Sequence, residues 1–88
     1  MTKEDAKKVK PGDLLVQTCP LFEGESKFVI AVKVEGNQLH HVHVNIGNSV
    51  YSIIDIRYFR RPKKSELTEE VIRQYKTTLL KLILKGGV

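Results

Sequence analysis

The chain has 88 residues, 41% of them apolar, with 15 Lys and Arg against 10 Asp and Glu, a formal net charge of +5. That length builds one domain (1–88) with one modest core and leaves little material for a deep substrate cleft. A single cysteine excludes an intramolecular disulfide framework and a Cys-based zinc cluster, and the excess of cations favours anionic partners.

Residues 1–10 carry Lys3, Lys7, Lys8 and Lys10 and read as a basic N-terminal arm, frayed or forming a short helical turn. They contain no apolar core of the kind a signal peptide needs. The longest apolar stretch near the C-terminus is broken by Lys81 and Lys85, so no membrane-spanning segment is expected. A reducing, cytoplasmic location follows as an expectation.

Pro11-Gly12-Asp13 is a turn signal that leads into the apolar run Leu14-Leu15-Val16. This entry resembles that of SH3-like barrels. The resemblance implies a small, strongly bent antiparallel sheet of four or five strands, here over residues 13–60; with the C-terminal helix read below, the expected fold is α+β.

Residues 19–26 form a loop stopped by Pro20 and Gly24. Its Leu21 and Phe22 are expected to fold back and plug one end of the sheet, because core material is scarce. The alternative is a protein-binding knob made of Leu21, Phe22 and Glu23. Cys19 has no base or helix N-terminus beside it in sequence that would activate a thiolate.

Residues 27–35 alternate, with Phe28, Ile30, Val32 and Val34 on one face. Residues 38–46 alternate again, with Val42, Val44 and Ile46 on one face and His41 and His43 on the other. Residues 49–56 follow, with Tyr51 and Ile53 together and Val50, Ile54 and Ile56 opposite. The turns Gly36-Asn37 and Gly47-Asn48 make this a meander. A bare two-residue turn at 36–37 sets Ile30 opposite His43 and mixes the faces. One extra residue at the turn pairs Val32 with Val42 and Ile30 with Val44 instead. At the second turn a two-residue loop sets Val44 opposite Tyr51 and Val42 opposite Ile53. Tyr51 and Ile53 are therefore expected in one core with Phe28, Ile30, Val32, Val42 and Val44. His40, His41 and His43 share one strand, and His41 and His43 are expected together on a polar, solvent-facing surface. Two same-face histidines fall short of the three or four ligands of a zinc centre, so no metal is expected.

Arg57-Tyr58-Phe59-Arg60-Arg61-Pro62-Lys63-Lys64 places five cations and two aromatics in eight residues without an acid. Cations neutralise phosphates and aromatic rings stack on bases, so this run is the candidate nucleic-acid contact, for DNA or RNA. Arg60 and Arg61, with no acid in view, are the candidate phosphate anchors. Only one of Tyr58 and Phe59 can face outward from a strand.

Thr68 followed by Glu69 and Glu70 signals a helix start, and Gly86-Gly87 an end. The helix over 68–85 carries an apolar stripe of Ile72, Tyr75, Leu79, Leu82 and Ile83. It is expected to cover the sheet face formed by Val29, Ala31, Val50, Ile54 and Ile56, or else to make a homodimer contact. Paired carboxylates, a Gly-rich phosphate loop and a catalytic triad pattern are absent, and no cofactor is expected. The sequence therefore points to a non-catalytic binding module, for nucleic acid first and for a protein partner second.

Overall fold

A computed structural model describes residues 1–44 and 51–87. The elements are α1 (Lys3–Lys7), β1 (Leu14–Gln17), β2 (Phe28–Glu35), β3 (Gln38–His43), β4 (Tyr51–Asp55), β5 (Phe59–Arg60) and α2 (Glu69–Leu84). The fold is α+β, and the strands form one antiparallel sheet in the order β4-β3-β2-β1-β5. The end strands do not pair with each other, so the sheet is open and does not close in the manner of the SH3-like barrels that the entry turn resembles. The expected turn at Gly47-Asn48 and the placements of Asn45, Ile46 and Val50 lie outside the described residues.

The entry turn does what its residues suggest. Gly12 adopts φ +94°, a left-handed conformation open to glycine. Its N–H donates to the Ala31 carbonyl at 2.7 Å, and its own carbonyl accepts from the Tyr75 hydroxyl at 2.5 Å. One short turn thus ties β2 to α2.

The first hairpin departs from the expected register. Gly36-Asn37 is a plain two-residue turn between Glu35 and Gln38, and the extra residue is a bulge within β2, between Ala31 and Lys33. Beyond the bulge Ile30 pairs with Val42, Val29 with His43 and Ala31 with His41. An inserted residue restores segregated faces wherever it sits, and placed in β2 instead of the turn it shifts the pairing the opposite way. His41 and His43 now lie beside Ala31 and Val29. The second hairpin pairs Val42 with Tyr51 and His40 with Ile53, two residues from the expected register. A shift of two keeps the faces but slides the strand, and it carries Tyr51 and Ile53 away from the core. They are 50% and 48% exposed.

Both faces of the sheet are covered. Val16, Phe28, Ile30, Val42 and Val44 pack with Leu82 of α2, flanked by Val71, Tyr75 and Leu79. The helix therefore sits on the Phe28–Ile30 face and not on the Val29–Ala31 face. That second face holds Leu15, Val29, Ala31, Leu39, Ile56 and Phe59 and is closed by Ala6 of α1. The N-terminal arm is thus core material. Thr2 caps α1 by accepting from the Asp5 N–H, and the turn that follows delivers Val9 to the same cluster.

Candidate interaction surfaces

The basic-aromatic run begins with a local capping event. Asp55 accepts from the Arg57 N–H at 2.9 Å and starts a single 3-10 turn over Ile56–Tyr58. This turn resets the phase of the chain. Ile56 and Phe59 point into the core and Tyr58 points outward, 37% exposed, with the Arg57 guanidinium 4.9 Å from its ring centroid. The inward ring is therefore Phe59, which leaves the surface set.

Arg60 and Arg61 are not free anchors. Glu66 accepts from Arg60 in a two-pronged pair at 2.6 and 2.9 Å, from Lys27 at 3.1 Å and from the Lys63 N–H at 2.8 Å. The Arg60 guanidinium first, then the Lys63 N–H and Lys27, hold the Glu66 carboxyl far below the usual carboxylate range. Arg61 donates to Asp13 at 3.0 Å and to the Lys8 carbonyl at 3.3 Å. The acids lie 6 and 48 residues away along the chain, so a local reading of the run misses them. Lys63 and Lys64 form no ion pair among the described residues. Arg57, Tyr58, Lys63 and Lys64 remain as the outward members of the run.

The 19–26 loop is not a plug. Phe22 is 83% exposed, and Leu21 and Glu23 are exposed beside it. The loop is nonetheless braced. The Phe22 N–H donates to Glu25 Oε1 at 2.8 Å, and the Glu25 N–H donates back to the Phe22 carbonyl at 3.0 Å. Glu25 Oε2 lies 3.3 Å from His43 Nε2, and His43 Nδ1 lies 2.8 Å from the Ser26 carbonyl. Gln17 reaches Cys19 Sγ at 3.2 Å from the other side. The expected polar histidine surface is therefore two buried rings, one of which anchors this loop. Nothing in the strand alternation marks them as buried, because their face is closed by α1 and by Ile56 and Phe59, which come from outside the meander strands.

His41 is the second buried ring. It stacks edgewise on Phe59 at 4.9 Å and on His43 at 5.3 Å, and its Nδ1 sits 3.1 Å from the Leu39 carbonyl. Its Nε2 has no partner among the described residues. Burial pushes its pKa below the ordinary imidazole value of 6.5. The folded state therefore holds His41 neutral, while the unfolded chain takes up a proton as pH falls through that value. Stability is fully present above 6.5 and is lost below it, by at most about 1.4 kcal/mol per pH unit from this one group. The thermal midpoint of His41→Phe should consequently fall less than that of the native chain between about pH 7 and pH 5. Parallel pH curves would show that His41 is not the sensing group.

Among the described residues no three His, Cys, Asp or Glu side chains converge as a metal site. No described helix is long and apolar enough to cross a membrane. A cleft of about 600 Å³ opens between α1 and the first hairpin, with Val9, Pro11, Val34 and Ile56 in its wall and Lys7 and Lys33 also lining it. It went unread in the sequence because it is assembled from the arm and the hairpin turn. No family model matches the chain, and no curated protein or solved structure matches it either.

Proposed function

We propose that this chain is a non-catalytic protein-interaction module, cytoplasmic in location, that engages its partner through the tip of the 19–26 loop. One observation carries the reading: a phenylalanine ring, 83% exposed, stands on a loop braced from within by hydrogen bonds through Glu25. A pre-ordered aromatic knob loses little conformational entropy on docking and matches the anchors that dominate protein interfaces. The partner it fits offers an apolar pocket for Phe22, flanked by Leu21, and a cationic or hydrogen-bonding rim for Glu23. A photo-crosslinking residue at position 22 identifies that partner in cells. Binding of the purified pair should then weaken by about 30-fold or more in Phe22→Ala, the loss typical of an interface anchor. Unchanged affinity would end this reading.

A second reading keeps the basic run as a nucleic-acid surface, favoured by the Arg57 guanidinium held over the outward Tyr58 ring. Its contacts would be Arg57, Tyr58, Lys63 and Lys64, reading phosphate and base faces without sequence specificity. Arg60 and Arg61 would serve the fold through Glu66 and Asp13. Fluorescence anisotropy on mixed-sequence DNA and RNA separates the two readings. Phosphate contacts give a steep linear loss of log affinity with log salt, which an apolar protein contact does not.

A further inference from the structure

We infer that the free edge of β4 is a self-recognition surface, on which two copies of this chain pair antiparallel about a two-fold axis at Ile53. β4 ends the sheet, and among the described residues no strand lies outside it. Its main-chain orientation follows from the second hairpin. The Ile56 N–H donates to the Asn37 carbonyl at 2.7 Å. Alternation along the β3–β4 register then turns Ile54 and Ser52 toward β3 and leaves the N–H and C=O of Tyr51 and Ile53 and the N–H of Asp55 pointing outward, while the Asp55 carbonyl starts the 3-10 turn over Ile56–Tyr58. Such a row is a template for another strand unless it is guarded by lysine, proline or a covering element.

The two edges of this sheet differ in that respect. β5 is two residues long and runs directly into Arg60-Arg61-Pro62, two cations and a residue without a donor. The β4 sequence Tyr-Ser-Ile-Ile-Asp has no cation, no proline and no bulge on its outer side. Its outward residues Tyr51 and Ile53 also leave half of their side chains in water.

The occupant follows from the register. The outward residues are alternate positions, 51, 53 and 55, so they are self-complementary about Ile53. Ile53 then exchanges both main-chain bonds with Ile53 of the second copy, and the Asp55 N–H donates to the Tyr51 carbonyl of the second copy, twice by symmetry. On the exposed face isoleucine meets isoleucine and the carboxylate meets a neutral tyrosine. A pairing centred on Asp55 would instead set two carboxylates opposite each other. The contact is one short strand, so the dimer should be weak and reversible, with a dissociation constant in the micromolar range. It uses a surface separate from Phe22.

Sedimentation equilibrium of the full chain tests this. The native chain should show a reversible monomer–dimer equilibrium. Ile53→Lys and Ile53→Glu should each weaken it by at least about 10-fold while keeping the native thermal transition, since like charges then meet on the axis. An equimolar mixture of the two variants should restore the dimer. Phe22→Ala should dimerise like the native chain, which separates failure of this pairing from failure of the loop reading. A measurement without variants is amide exchange on the native chain. Protection at Ile53 and Asp55 should rise with protein concentration while that at Ser52 and Ile54 stays constant. A monomer at millimolar concentration, a dimer indifferent to Ile53→Lys, or concentration-independent exchange at the Ile53 and Asp55 amides would each overturn the proposal.

Discussion

Phe59→Ala should destabilise the protein by about 3–5 kcal/mol, while Tyr58→Ala next to it should cost no more than about 1 kcal/mol. Phe59 is 1% exposed and fills the centre of the cluster formed by Leu15, Val29, Ala31, Leu39 and Ile56. Its strand is only two residues long, so this ring more than the main chain joins β5 to the core. Removing it opens a cavity against the edge of His41, a buried ring whose Nε2 has no partner among the described residues. Tyr58 loses only a solvent-side contact with Arg57. Urea denaturation of both variants, read at constant m-value, gives the comparison directly. Similar losses from the two would mean that the 3-10 turn does not set the phase described above.

The contrast between these neighbours shows where the sequence was readable. Strand alternation located β2, β3 and β4, and Thr68 with its acidic first turn located α2. The Thr68 hydroxyl accepts from the Val71 N–H at 3.2 Å as a cap should. These signals are local, and local chemistry suffices for them. What failed depends on single-residue events that alternation does not encode. The bulge between Ala31 and Lys33 set the pairing of β2 with β3, and the cover that α1, Ile56 and Phe59 place over the second face buried the histidines. The two-residue slide of β4 left Tyr51 and Ile53 exposed without changing their face. The candidate site fared similarly. Its cations were visible, but whether a cation is available depends on acids brought near by folding. Asp13 reaches Arg61 from the entry turn of β1, and Glu66 reaches Arg60 from the short 3-10 turn over Lys64–Glu66 that precedes α2. The Phe22 knob was seen only as the lesser option, because scarcity of core argues for a plug. The arm supplied that material instead, through Ala6 and Val9.

Ending the chain after Leu67 should abolish cooperative folding altogether. This cut keeps Glu66, so the Arg60 and Lys27 pairs and the Lys63 bond survive and the loss is that of α2 alone. What goes is the cover over Val16, Phe28, Ile30, Val42 and Val44, supplied by Leu82 with Val71, Tyr75 and Leu79, together with the Tyr75 bond to the entry turn. A single Leu82→Ala in the intact chain should already cost about 2–5 kcal/mol. Domains of this size have only about 5–15 kcal/mol in total, so losing Leu82 together with the partly buried Val71, Tyr75 and Leu79 removes a comparable amount. The dependence runs both ways. A 16-residue helix is marginal alone in water, so α2 itself exists because the sheet gives its stripe somewhere to pack. An amide correlation spectrum of the shortened chain should therefore be collapsed or aggregated, and adding a peptide of residues 68–88 should restore dispersion. A dispersed spectrum from residues 1–67 alone would show that α1 and the second face carry the fold, with α2 only a lid.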